Sequence, residues 1–529
     1  MTIAAVRSLY VLLLLLLAVR FVLRGGFKQT MSARILVLRT LLTVVASVPL
    51  VLGAPVDGLE YEDAYIHKSA ARYQLFHGEE PSAGFFVRTC VVGSISKCSM
   101  SASFGTHTIG FSALISGISQ LTGHGSRLAN LLSGLCWIFT VHCLWSVFGV
   151  LSHRSVARVI GLGLLLSSPA VYVIGGTSFA EPLFGSLLML CVWQMFSRPG
   201  KGEGKWRFGV SLALWLVSLL LLVLAKKEGL LFIGVMSIWD TVQYWRAAGT
   251  DRIRSRLWAA VSMAAFAVAV GVFGLLEAVS RHSVDIGMPA FDVHYIAVLA
   301  LPVLHAAVTP EYFGVAWVAF AASLLFIRGR SDGLRVLLSM MVMGYLLLYA
   351  VHARHYWFAL GQEVQPYEMV RYLYSLTPPA CLIAGSVLSN GVNRLLGSWG
   401  HDQPAVIAWA AFLLVVVGVG GAQVGAMAMR EDMAHEEARS WRNSLKSVAA
   451  NQNGGMVFVS SRTTALQAYA SESTEFVDFV ALGDPRLQAA FTQLRSERRI
   501  VLLDDGGCGS PLVRRRWVQA CAMLQRLAE

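Results

Sequence analysis

Between Phe208 and Ala225 the chain passes through an uncharged and almost wholly apolar run, FGVSLALWLVSLLLLVLA. As a helix rising ~1.5 Å per residue, it nearly matches the ~30 Å hydrocarbon core of a bilayer. Comparable runs recur near 35–54, 128–150, 157–175, 179–196, 229–245, 257–279, 312–327, 334–351, 373–390 and 404–427. Strands of a membrane barrel would alternate polar and apolar positions, and these runs do not. Hydrophobic residues make up 56% of the chain and charged residues 14%. The expected fold is therefore an all-α polytopic membrane protein with about 11 transmembrane helices. Ser8–Leu23, which carries Arg20, is a candidate for one more at the N-terminus.

The formal net charge of +12 is unevenly distributed. Arg198, Lys201, Lys205 and Arg207 fill one short connection, Arg246, Arg252, Arg254 and Arg256 a second, and Arg328, Arg330 and Arg335 a third. With all three on the cytoplasmic side, the helix count between them stays even, as the positive-inside rule requires. The excess charge is then a topology signal facing membrane lipids, and no nucleic-acid partner is expected. The same assignment places Pro55–Thr106, Arg281–Glu311, His352–Tyr372 and the chain beyond about Arg430 on the extracytoplasmic face of a cytoplasmic (inner) membrane.

The cysteines fit that division. Cys90 and Cys98 share the first outer loop, and Cys508 and Cys521 share the tail, so both pairs are candidate disulfides. Cys136, Cys143, Cys191 and Cys381 fall inside expected spans, where a thiol behaves as a small buried hydrophobe.

Residues 1–30 form an extra hydrophobic segment, 31–430 the transmembrane domain with its outer loop 55–106, and 431–529 a small extracytoplasmic α/β domain. No small-residue cleavage site follows Ser8–Leu23. That segment is either a further helix or lies upstream of a start at Met31, where Met31-Ser-Ala-Arg34 makes a complete cytoplasmic N-terminus. In the tail, Met456–Ser460 and Arg499–Leu503 have the pattern of short buried strands. Thr463–Ala470, Pro485–Arg495 and Pro511–Leu527 have that of helices. Asp504-Asp-Gly-Gly507 fits a turn after a strand. The chain holds no phosphate-loop motif, dinucleotide fingerprint, zinc spacing or internal repeat, so no cofactor or metal is expected.

Directly after the span 35–54 stands Glu60-Tyr-Glu-Asp-Ala-Tyr-Ile66. Glu60, Glu62 and Asp63 lie within a few residues of lipid, where ionised carboxylates are costly unless they are solvated, bound or reacting. Glu62-Asp-Ala-Tyr-Ile66, followed by Ala70-Ala-Arg-Tyr73, resembles the acid–acid–x–Tyr signature opening the first outer loop of GT-C integral membrane glycosyltransferases. Further segments resemble that superfamily in the same order: His107–Ser112, Gly123–Arg127 with Ala129–Leu135, Gly176-Thr-Ser-Phe-Ala-Glu-Pro182, Lys226-Lys-Glu-Gly229 and Arg371-Tyr-Leu-Tyr-Ser-Leu-Thr-Pro378. The likeness covers about residues 35–430. It is nearest to the bacterial arabinofuranosyl-, aminoarabinosyl- and mannosyltransferases.

The resemblance implies an inverting transfer of sugar from a polyprenyl-phosphate donor to a glycan, lipid or protein acceptor. By its pattern Glu62 is the catalytic base and Asp63 the supporting acid. The family usually has Asp first, so the base is open between Glu62, Asp63 and Glu60. Arg72, Lys226, Lys227 and Arg371, followed by Tyr372, are candidates for binding the donor phosphate. The alternative for these cations is contact with lipid headgroups. His67, four residues after Asp63, is either its partner on a helix face or a surface histidine. Glu181 beside Pro182 fits a charge stabilising a helix N-terminus. Two other classes remain: a transporter or flippase for a lipid-linked or small anionic substrate, and a non-catalytic scaffold. Transporters carry ionisable groups near the bilayer midplane and show related halves. Here the acids lie in an outer loop and no such symmetry is visible.

Overall fold

The computed structural model describes residues 3–23, 33–47, 67–68, 71, 85–89, 99–103, 110–123, 127–151, 155–177, 179–199, 204–247, 250–279, 292–326, 333–351, 366–397, 418–422, 424–427, 447–448, 456–460, 466, 475–478, 496, 499–503 and 518–528. The bundle begins with α1 (Ile3–Phe21) and α2 (Ala33–Ala46). It continues through α3 (Gly110–Thr122), α4 (Leu128–Leu151), α5 (Ser155–Leu166), α6 (Pro169–Gly176) and α7 (Glu181–Phe196). Next come α8 (Lys205–Ala225), α9 (Gly229–Arg246) and α10 (Thr250–Val279). Then follow α11 (Ile296–Val308), α12 (Pro310–Phe313), α13 (Ala316–Leu324), α14 (Gly333–Val351), α15 (Pro366–Tyr374) and α16 (Thr377–Gly397).

Helix α7 is the axis of the bundle. Every residue from Glu181 to Gln194 is buried, as expected of a helix apolar on all faces. It packs along α4 and against α8, while α9 packs on α10 and α5 on α16. The α5–α16 crossing is close because a Cβ on Gly385 would lie 2.8 Å from Gly161 Cα, and small residues let helix backbones approach in this way. Leucines and valines of α1, α2 and α10 stay exposed around the rim, as a lipid-facing band would require. α1 joins the bundle: Phe21 stacks edge-on with Phe139 and Trp193, and Arg20 donates to Ser211 Oγ at 2.7 Å.

Among the described residues three helices are long and apolar enough to cross a membrane: Leu128–Val150, Lys205–Ala225 and Asp251–Gly271. The expected span 157–175 is instead two helices meeting at 67°. Ser167 and Ser168 turn their hydroxyls back onto Leu164 O, and Pro169, without an N–H, starts the second helix. The spans expected at 312–327 and 373–390 are likewise interrupted, by Gly314 at φ +57° and by the break at 375–376. The segment 281–311, expected to be an outer loop, contains α11, whose run IAVLALPVL was short enough to pass for a loop.

Two small sheets accompany the helices. Strands β1 (Phe85–Thr89) and β2 (Ser99–Ser103) form an antiparallel hairpin in the first long loop, a feature the sequence did not suggest. In the tail, β3 (Met456–Ser460) lies between β4 (Glu475–Asp478) and β5 (Arg499–Leu502), parallel to both, and α17 (Val518–Ala528) follows. The expected two strands are therefore three. Cys136, Cys143, Cys191 and Cys381 are free thiols, and the last three are buried.

Candidate functional site

The turn between α8 and α9 brings two charged groups, Lys226 and Glu228, to the N-terminus of α7. Lys226 Nζ lies 3.1 Å from Glu181 Oε1 and 3.8 Å from Glu228 Oε1. Arg371, on the last turn of α15, sets its Nε 3.6 Å from the same Glu181 oxygen. Its Nη2 donates to Tyr372 Oη at 2.7 Å, and its guanidinium lies over the Phe179 and Tyr372 rings at 5.3 and 4.7 Å. Lys226 faces the Tyr372 ring at 4.9 Å. Two aromatic faces and two carboxylates thus hold two cations in a largely dry pocket. Burial opposes the charge on Lys226, but the carboxylates of Glu181 and Glu228 outweigh it and hold the ammonium above the usual lysine range.

Local backbone geometry fixes this arrangement. A Cβ at Gly229 would meet Leu222 O at 2.8 Å and Val223 Cα at 3.0 Å, so only glycine lets α9 leave α8 this tightly. The turn ahead of Glu181 is tied to α4, where Asn130 donates to Gly176 O at 3.0 Å and Ser133 Oγ to Phe179 O at 3.4 Å. Ser375 Oγ donates to Glu181 O at 3.4 Å, joining the α15–α16 break to the same turn.

The cluster occupies one end of the bundle. α7 runs from Glu181 to Phe196 and is followed by Arg198, while α8 starts at Lys205 and is followed by Lys226. At ~1.5 Å per residue those helices separate the two charged ends by roughly 24–31 Å, about a hydrocarbon thickness. Arg198 proves to be more than a loop charge. It makes a two-pronged ion pair with Asp240 at 2.6 and 2.9 Å, Ser262 donates to Asp240 at 2.6 Å, and Trp215 donates to Ser262 at 2.8 Å.

Of the residues singled out in the sequence, the structure gathers Lys226, Arg371 and Tyr372, with Lys227 half-buried in the same turn. His67 is 3% exposed, so it is not a surface histidine. Its Nδ1 lies 3.3 Å from Ser112 Oγ and its ring meets Phe111 edge-on. Glu60, Glu62, Asp63, Arg72, Cys90, Cys98 and Cys508 lie outside the described residues. Cys521 is disulfide-bonded, with its partner also outside them. Glu181 is the residue whose part the sequence understated. Its place at the start of α7 was legible, but its two cations come from positions 45 and 190 residues away.

No family model and no curated protein matches the sequence. Solved structures do match. ArnT from Cupriavidus metallidurans bound to undecaprenyl phosphate superposes with a TM-score of 0.54 at 13% identity, covering 88% of this chain and 90% of that one. The Archaeoglobus fulgidus oligosaccharyltransferase tethered to an acceptor peptide gives 0.54 at 10% identity, over 93% and 72%. The archaeal oligosaccharyltransferase AglB from the same organism, in complex with an inhibitory peptide and a dolichol-phosphate, gives 0.53 at 10% identity, over 88% and 69%. Identities this low speak for architecture alone: the chain shares the overall fold of these solved structures.

Proposed function

We propose that this protein is a glycosyltransferase that moves a sugar from a polyprenyl-phosphate donor to a glycan, lipid or protein acceptor at the outer face of the cytoplasmic membrane. The observation carrying this reading is the convergence of Lys226 and Arg371 on Glu181, at the end of the bundle opposite the basic connections. A polyprenyl phosphate buries its tail in lipid and presents its phosphate at headgroup level, the depth at which α8 ends. Cations placed there can stabilise the charge that grows on the departing phosphate as the sugar–oxygen bond breaks. Glu181 balances those cations in their resting arrangement, and an arriving phosphate competes with it for both.

The acceptor hydroxyl must lose a proton as its oxygen attacks the sugar carbon, a task for a carboxylate acting as general base. Glu62 and Asp63 are our candidates, with Glu60 nearby. Attack opposite the phosphate inverts the sugar carbon. The proton goes to the carboxylate and the electron pair of the broken bond leaves with the phosphate. Arg72, Lys227, His67 and Tyr372 would line the donor and acceptor positions. A monophosphate leaving group carries modest charge, so side-chain cations suffice for it.

The test is an assay of membranes carrying the protein with radiolabelled polyprenyl-phosphate sugars. We expect transfer by the native chain, and a fall of ~10²–10⁴-fold when Glu62→Gln and Asp63→Asn are combined at matched expression. Transfer at the native rate by that double variant would overturn the assignment of the base. No transfer from any such donor by the native chain would overturn the function itself.

A further inference from the structure

The end of the bundle opposite Glu181 holds a second group of cations that the proposed reaction does not use. Arg39 sits on α2 with 4% exposure, while Val37, Leu41 and Val44 of the same helix are each more than half exposed. Its side chain is therefore turned away from the rim, towards α4. Thr43, one turn on, donates its hydroxyl to Arg39 O at 2.8 Å and meets His142 Nε2 at 3.0 Å. The single hydroxyl proton is spent on that carbonyl, so Nε2 must be the donor to Thr43. One turn further along α4, Trp145 is 9% exposed and carries Arg158 of α5 at 5.3 Å from its ring centre. Trp145 Nε1 and Arg158 Nε are both buried with no hydrogen-bond partner among the described residues, and Arg158 makes no ion pair among them. Arg39 lies within electrostatic reach of both His142 and Arg158.

Trp145 and Arg158 each present an N–H here and Arg39 a second guanidinium, while His142 spends its one N–H on Thr43 and fixes the spacing of α2 on α4. Two guanidiniums and an indole in apolar surroundings make a site for an anion with several acceptor oxygens. The level is that of the headgroups: α2 and α5 both begin, and α4 ends, at this end of the bundle. Arg39 lies only ~9 Å along α2 from its start. We propose that Arg39, Trp145 and Arg158 form a phosphate seat between α2, α4 and α5, in the leaflet opposite the Glu181 cluster. The occupant is the phosphodiester of an anionic phospholipid or a free phosphate. Basic pockets between spanning helices commonly take such groups. The inference stands apart from the proposed reaction and does not depend on it.

Native mass spectrometry of the purified full-length protein in mild detergent, titrated with phosphatidylglycerol and with phosphatidylcholine, tests this. We expect phosphatidylglycerol to be retained preferentially. Arg158→Gln should weaken its retention about fivefold, as loss of one basic group near a headgroup does. Trp145→Phe, which keeps the ring and removes the N–H, should also weaken it. Arg252→Gln serves as the control, because Arg252 also lies over an aromatic ring, that of Tyr244, at the same end. Displacement by millimolar inorganic phosphate would identify the seat as one for phosphate itself, and resistance to it one for the lipid. Equal retention by native protein and Arg158→Gln, or an equal loss in Arg252→Gln, would overturn the proposal.

Discussion

Lys226 Nζ and Glu181 Oε1 stand 3.1 Å apart although 45 residues separate them in the chain. Both belong to turns at one end of the bundle, and Arg371 reaches the same oxygen from a third. A carboxylate shared by two cations in a nearly dry site is costly to break, because whichever partner remains keeps a buried charge. Glu181→Gln should therefore lower stability by ~3 kcal/mol or more, measured as thermal unfolding in detergent. Combined with Lys226→Met, the loss should fall short of the sum by ~1 kcal/mol or more. Strict additivity would show that the two groups are not coupled.

Arg371 also binds Tyr372 Oη, a contact that fixes the plane of its guanidinium. Arg371→Ala should reduce sugar transfer by ~2–4 kcal/mol of barrier, roughly 30- to 1,000-fold, if the departing phosphate rests on this group. Arg371→Lys keeps the charge without the planar fork and should recover only part of it. Full activity in Arg371→Ala would remove this residue from the donor site.

The pH dependence of the Lys226 contribution has a definite sign. The folded protein holds its ammonium above the ordinary lysine range. The stabilisation is then complete below the unfolded lysine value of ~10.4, and is lost only as pH rises through the higher folded value. Between pH 6 and 9, the Lys226→Met variant should differ from the native protein by a constant unfolding free energy. A difference that shrinks across that window would contradict the ion pair.

Gly229→Ala pushes a Cβ into the backbone of the last turn of α8. A loss of ~1–3 kcal/mol is expected for such overpacking, with transfer activity falling as Lys226 moves. Gly209→Ala in the same helix meets nothing within 4 Å and should be neutral or stabilising. Thermal melts of the two variants side by side decide the point.

Sidedness is open to direct labelling. Single cysteines at Gly202 and Gly249 should react with a membrane-impermeant thiol reagent only from the cytoplasm, and those at Ser94 and Gly454 only from outside. Non-reduced peptide maps should recover Cys90–Cys98 and Cys508–Cys521, each closing a short loop worth roughly 2–4 kcal/mol. A cysteine at Gly454 labelled only from the cytoplasm would reverse the assigned orientation of the tail.

Long apolar runs dictate helices in lipid, because the backbone has no other way to satisfy its polar groups there. For that reason α4, α8 and α10 were legible as elements, although α8 starts at Lys205 and α10 at Thr250, ahead of the runs read at 208–225 and 257–279. Breaks inside runs were less so. Ser167-Ser-Pro169 carries its breaker openly, yet the 67° bend depends on what α6 packs against, and α11 was hidden by its shortness. The order of motifs pointed to Lys226, Arg371 and Tyr372 one by one, since each stands beside a helix end marked by Gly or Pro. That Lys226 and Arg371 meet on Glu181, and that Arg198 meets Asp240, was decided only by tertiary packing. Ion pairs between residues 40 or more positions apart leave no periodicity in a sequence. They exist because neighbouring helices end at the same level and desolvate each other's charges.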